Sequence, residues 1–301
     1  MEINTILVVM DPTKTDQPII GRCIRIARAF GARVELFEAE FRTALESSYP
    51  FDTHALHEAR EAFLSKRRRV LGGVAEKLEE EGVTASVHVC WERPLYTAIL
   101  TRAEQIQADI IIKATHHHSL LNRALFTNTD WHLIREANVP LWFVREEHDW
   151  GSHLELMAAV DPLSFSEEAE KLNPKILELA HKVSCNLPST LSVGHAYEPI
   201  PTGMLLEFDT VVSDYESYRD QVQAEHQQAL DRLLEQHVEA TTKVYFEEGA
   251  PERFLPDCVN REGVDILVMG AVSRDGFDRL FIGSTAERVL EHIQCDVLVV
   301  K

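Results

Sequence analysis

Val264-Asp265-Ile266-Leu267-Val268-Met269-Gly270-Ala271-Val272-Ser273-Arg274-Asp275-Gly276-Phe277-Asp278-Arg279-Leu280-Phe281-Ile282-Gly283-Ser284-Thr285-Ala286-Glu287-Arg288-Val289-Leu290 decides how this chain is read. Ile266 to Met269 is a short apolar run of the kind buried on both faces of a sheet. Gly270 turns the chain, a loop follows, and Gly283-Ser284-Thr285 opens an amphipathic helix. Glycine lets backbone N–H groups approach a ligand closely, and a helix N-terminus carries partial positive charge. The hydroxyls of Ser284 and Thr285 add donors. The stretch therefore has the makings of an anion site.

The same spacing resembles the signature of the universal stress protein family, Gly-x2-Gly-x9-Gly-Ser/Thr, which holds ATP phosphates in that family's nucleotide-binding members. Gly270, Gly283 and Ser284 match it, whereas Ser273 stands where the second glycine is found. The resemblance implies a candidate ligand set of Asp161, Ala196, Gly270, Val272, Ser273, Arg274, Gly283, Ser284 and Thr285, for ATP or a related adenine nucleotide. In it Asp161 contacts the adenine side and the backbone near Ala196 lies against the base; Arg274, which follows Ser273, could pair with an anion or could equally be solvated.

The pattern occurs twice. Ala108 to Ala114 parallels Val264 to Gly270, Phe126-Thr127-Asn128-Thr129 parallels Ile282-Gly283-Ser284-Thr285, and Val139 to Arg145 parallels Cys295 to Lys301. One offset aligns all three (265 − 109 = 283 − 127 = 297 − 141 = 156). A constant offset across strand, helix start and final strand means a duplicated domain, expected over residues 1–148 and 149–301. Strands alternating with helices argue an α/β fold with parallel sheets and right-handed crossovers. The resemblance adds a doubly wound, five-stranded sheet of order 3-2-1-4-5 in each half. Ligands of such sheets bind beyond the carboxyl ends of the strands, where the order reverses.

Both first strands end in Asp-Pro, at Asp11-Pro12 and Asp161-Pro162. Turn chemistry alone explains one such pair, but recurrence in both halves favours a site role. The first copy has lost the phosphate motif: Ala114, His117, Thr127 and Asn128 stand at its four positions. His116, His117 and His118 invite a zinc reading, with His54 and His57 close to one helical turn apart. Adjacent histidines converge poorly on one ion, so a polar exposed loop is the plainer reading.

Along the first half, Thr15 or Asp16 is expected to cap a helix with Ile20, Cys23, Ile24, Ala27 and Phe30 inward. A long helix from His54 to Glu81 should bury Leu56, Ala59, Phe63, Val70, Val74 and Leu78. Its basic knot, Lys66-Arg67-Arg68-Arg69, reads as a solvated face. In the second half Pro174 is expected to split or kink a helix. The apolar stretch Pro199 to Phe208 should cover its own domain or line a pocket.

Composition sets outer bounds. The 301 residues are 45% hydrophobic and 26% charged, with a formal net charge of −19. Acidic surfaces repel phosphate backbones, so nucleic acid is not an expected partner. The start Met1-Glu2-Ile3 runs straight into a strand, and no long apolar helix follows, so neither export nor a membrane span is expected. Five cysteines without a C-x-x-C pair suggest buried, reduced thiols in a cytoplasm. Walker and nucleophile-elbow motifs are missing. The resemblance thus implies a cytoplasmic stress-response protein that binds a small ligand and is dimeric, its final strands joining the repeats as a pseudo-dimer. Weak ATP hydrolysis at Asp161 and Arg274, or carriage of an apolar ligand, are the competing readings.

Overall fold

Short buried strands and glycine-stopped helices build the fold. The computed structural model describes residues 2–14, 17–41, 53–115, 126–163, 167–199, 215–239, 241–271 and 282–301. Two compact units divide the chain, the contiguous part of the second beginning at Glu147.

In the first unit the order is β1 (Thr5–Val9), α1 (Ile19–Phe30), β2 (Arg33–Glu40), α2 (Thr53–Glu80), β3 (Ala85–Trp91), α3 (Leu95–Gln105), β4 (Ile110–Thr115), α4 (Asn128–Glu136) and β5 (Leu141–Arg145). Its sheet runs β3-β2-β1-β4-β5, every pairing parallel. The second unit repeats this with β6 (Leu154–Ala159), α5 (Glu167–Asn186), β7 (Ser189–Tyr197), α6 (Tyr215–His237), β8 (Lys243–Glu248), α7 (Pro251–Glu262), β9 (Ile266–Gly270), α8 (Ser284–His292) and β10 (Asp296–Val300). The order β8-β7-β6-β9-β10 is the same winding, again parallel. The central strands β1 and β4 are buried at every position, which is why they read as unbroken apolar runs.

Polar residues fasten both sheets alike. The Asp109 carboxylate, just before β4, accepts the N–H groups of Asn4 and Thr5, each at 2.8 Å. Asp265, just before β9, accepts the N–H of Glu155 at 2.8 Å and meets His148 Nε2 at 2.8 Å. Each aspartate thus ties the start of the fourth strand to the start of the first.

Several expectations shift. Thr15 and Asp16 lie outside the described residues; the N-cap of α1 is Pro18, and the helix buries Ile19, Arg22, Cys23, Ile26 and Ala27. Cys23 and Ala27 are inward as expected, while Ile20, Ile24 and Phe30 are half-buried at the edge of the stripe. In α2 the buried residues include Leu64, Leu71, Ala75 and Leu78, while Val70 is 49% exposed. Arg67 lies three residues from Leu64 and four from Leu71, so it shares the inward stripe and is not part of a solvated face. It sits there because Glu38 of β2 needs it: Arg67 Nε and Nη2 donate to the two Glu38 carboxylate oxygens at 2.6 and 2.7 Å. Pro174 lies inside α5, which runs on through it as one element. Cys23, Cys258 and Cys295 are buried, but Cys90 is half-buried and Cys185 exposed. Burial pushes the Cys23 thiol up to about 12 and, with Glu92 nearby, the Cys90 thiol up to about 11. Among the described residues no helix is long and apolar enough to cross a membrane.

Candidate functional site

In the second unit the strand order puts β6 between β7 and β9, so Asp161, Ala196 and Gly270 come to the carboxyl ends of three neighbouring strands. Asp161 is held by its backbone. Its N–H donates to Asn173 Oδ1 at 2.9 Å, and Asn173 Nδ2 donates back to its carbonyl at 2.7 Å. Asn173 is buried on α5, so the turn that presents Asp161 is fixed from beneath. In the first unit Gln17 does the same for Asp11, donating to its carbonyl at 2.6 Å. There the Asp11 carboxylate is turned onto its own loop, accepting Thr13 N–H at 2.8 Å and Thr13 Oγ1–H at 2.7 Å.

Gly270 has a packing reason of its own. A Cβ at this position would lie 2.2 Å from Leu172 Cδ2 and 2.9 Å from Leu172 Cγ. Helix α5 therefore approaches the end of β9 as closely as it does only because no side chain intervenes. Gly270→Ala is expected to cost about 1–3 kcal/mol by overpacking against Leu172 and Ile176, read as a lowered urea midpoint with an unchanged slope.

Gly283 is the N-cap of α8, with φ −64° and ψ 139°, and supplies no capping side chain. Ser284 is exposed and Thr285 half-buried at the helix start. Val272, Ser273 and Arg274 lie outside the described residues, as do His116, His117 and His118 and the stretch 200–208. His54 and His57, the remaining imidazoles of the zinc reading, are both exposed, and His54 lies 3.6 Å from Glu58. Among the described residues no cluster of three or more His, Cys, Asp or Glu could hold a metal ion.

The first unit treats the equivalent helix start differently. Thr127 stands where Gly283 stands in the repeat and caps α4 through a reciprocal capping box with Asp130. The pattern Thr127-x-x-Asp130 was available in the sequence as a helix-start signal.

A polar pair between buried His195 and half-buried His226 also escaped the sequence reading. Met10 N–H donates to the Phe37 carbonyl at 2.8 Å, and Val160 N–H donates to the Gly194 carbonyl at 3.1 Å. These matching bonds align Glu38 with His195. Where Glu38 reaches Arg67 on α2, His195 reaches His226 on α6, Nε2 to Nδ1 at 2.9 Å. His195 Nδ1 lies 3.0 Å from the Val160 carbonyl, which only accepts, so Nδ1 carries a proton and, in the neutral ring, Nε2 accepts from His226. The pair thus braces the residue before Asp161 against α6. Tyr197 and Phe246 stack beside it, and desolvation with the Glu248 charge pushes the Tyr197 hydroxyl upward.

Comparison with known proteins follows the same duplication. The profile of the universal stress protein family matches residues 2–145 and again 155–301. Universal stress protein E of Salmonella typhi is 29% identical over 302 residues, covering 99% of this chain and 94% of that protein. The universal stress protein E homolog of Haemophilus influenzae is 22% identical over 309 residues, covering 100% and 98%. Among solved structures, a functionally unknown protein from Pseudomonas aeruginosa is similar with a TM-score of 0.75 at 25% identity, over 99% of this chain and 92% of that one. A universal stress protein from Archaeoglobus fulgidus is similar in fold, with a TM-score of 0.63 at 20% identity over 100% and 97%.

Proposed function

The chain belongs to the universal stress protein family, through both of its halves, and from that premise we propose that it is a stress-response protein binding a nucleotide or another small anionic ligand in its second repeat. One observation carries the reading. Helix α8 opens on Gly283 without a capping side chain, whereas the equivalent helix of the first repeat is closed by Thr127 and Asp130. An uncapped helix start leaves backbone N–H groups and a positive dipole end for an anion. In this reading the phosphates of ATP or a related adenine nucleotide meet Gly283, Ser284 and Thr285, with Ser273 and Arg274 earlier in the same sequence motif as further ligands. The base lies toward Asp161 and Ala196. The protein acts by binding in the cytoplasm, as a homodimer, and turnover is not required.

Isothermal titration of the full chain with ATP, ADP and inorganic phosphate tests this, beside Gly283→Glu. A carboxylate at the helix N-terminus opposes a second anion there, and affinity is expected to fall at least about tenfold, a 1.4 kcal/mol loss. Unchanged affinity in the variant, or no binding by the parent chain, sinks the assignment. Phosphate release measured on the same samples separates a binder from a weak hydrolase.

A further inference from the structure

We infer that the first repeat carries its own anion: the Asp130 carboxylate is a built-in ligand, held by Lys113 and the start of α4 where an external oxyanion could otherwise sit. The repeat alignment makes this a comparison at three positions. Lys113, Thr127 and Asp130 of the first repeat stand where the second has Met269, Gly283 and Ala286. All three differ in the sense that builds an internal ion pair.

Asp130 Oδ2 accepts Thr127 N–H and Thr127 Oγ1–H, both at 2.7 Å. Its other oxygen, Oδ1, lies 2.8 Å from Lys113 Nζ. The Asp130 side chain is 0% exposed and that of Lys113 is 8% exposed. Lys113 Nζ also donates to the Ala114 carbonyl at 3.1 Å. A carboxylate taking a helix-start N–H, a hydroxyl and a buried ammonium has the contacts that a bound oxyanion makes. Above it, Lys14 after β1 is ion-paired with Glu146 after β5. Strand β4 lies between those two strands, so this second pair spans its carboxyl end. Among the described residues, Lys113, Asp130, Lys14 and Glu146 at this end of the first repeat's sheet are committed to one another within the chain.

The consequence is functional. The first repeat is held permanently in an anion-filled form, and it does not respond to the concentration of phosphate or nucleotide. This inference stands whether or not the second repeat binds anything.

Asp130→Ala leaves the Lys113 ammonium and the α4 start without their carboxylate, and inorganic phosphate is the probe. In the full chain the variant is expected to gain a saturable phosphate response, its thermal midpoint rising by roughly 5–10 °C at a hundredfold excess over Kd. Hydrogen exchange by mass spectrometry locates the response, with protection of peptides covering 128–136 restored by phosphate. Wild type is expected to show no phosphate-dependent change in those peptides. The double variant Lys113→Met/Asp130→Ala, which copies Met269 and Ala286, is expected to fold and to ignore phosphate there. If Asp130→Ala is unfolded without phosphate, refolding on its addition is the same positive result. The inference is overturned by an Asp130→Ala chain that stays indifferent to phosphate or stays unfolded in it. It is equally overturned by an α4 response in wild type, or by a double variant that responds as strongly. Peptides covering 284–292 report the second repeat separately, so failure there and failure here are told apart.

Discussion

Replacing Arg67 by alanine is expected to destabilise the first repeat by about 3–5 kcal/mol, the loss seen when one partner of a buried ion pair is removed. The Glu38 side chain is 0% exposed and Arg67 18%, so water cannot take over the guanidinium's role. Both Glu38 oxygens are bonded to Arg67, and Glu40 lies 3.7 Å from the same Nε. The hydrogen bond to Glu38 raises the Arg67 pKa above its ordinary value, so the guanidinium stays charged. Without Arg67 two carboxylates remain on the inward face of β2. Against a typical total of about 5–15 kcal/mol, the loss removes a large share of the domain's stability. Urea unfolding followed by a probe in each repeat should show the first transition move and the second hold. Arg67→Lys should recover little, because an ammonium cannot bond both oxygens in the same fork. Replacing Glu38 and Arg67 together by leucine should cost far less than Arg67→Ala alone, since the desolvated charges leave together. A loss under about 1 kcal/mol for Arg67→Ala would mean the pair behaves like a surface salt bridge.

The same residues mark where the sequence was legible. Strands buried on both faces announce themselves as apolar runs, and three helices or helix ends stop at glycines with positive φ: Gly31, Gly82 and Gly263. The apolar runs and the constant spacing of the duplication gave a parallel α/β fold and the two halves, while the strand order came from the family resemblance. Asp161, Ala196 and Gly270 were placed at strand ends by the same logic, and they are at strand ends. Apolar periodicity is blind to polar groups on inward faces, because their partners lie far along the chain. Glu38 and Arg67 come from different elements, as do His195 and His226, and Lys113 and Asp130. Arg67 in particular turned the expected stripe of α2, since a charged residue on the buried side does not count as core until its carboxylate is seen. Gly270 shows the opposite limit. Its motif position suggests backbone approach to a ligand, but its contact with Leu172 is a packing demand that a one-dimensional pattern does not contain.

Carrying the first repeat's ion pair into the second should close the candidate site. In Met269→Lys/Gly283→Thr/Ala286→Asp the three positions take the residues found at Lys113, Thr127 and Asp130. The backbone permits it: Gly283 has φ −64° and ψ 139°, close to the φ −81° and ψ 167° of Thr127, and both are extended conformations open to threonine. Met269 and Ala286 are buried, so the new lysine and aspartate meet away from water and must pair. The new capping box is expected to strengthen the α8 start by about 1 kcal/mol. The new carboxylate meanwhile takes the N–H of residue 283, as Asp130 takes that of Thr127, and puts a negative charge at the helix start proposed for the ligand, so affinity for phosphate or adenine nucleotide should fall about a hundredfold or more, 2.7 kcal/mol or above. Loss of binding with a retained unfolding midpoint distinguishes a filled site from a broken fold. Gly283→Thr/Ala286→Asp without the lysine tests the cap alone and should already remove most of the affinity, because the helix N-terminus is then occupied. If the triple variant keeps its fold and binds its ligand as tightly as the parent, that ligand does not sit at the start of α8. The anion reading of the Gly270 to Thr285 segment then gives way to one in which its glycines serve packing alone.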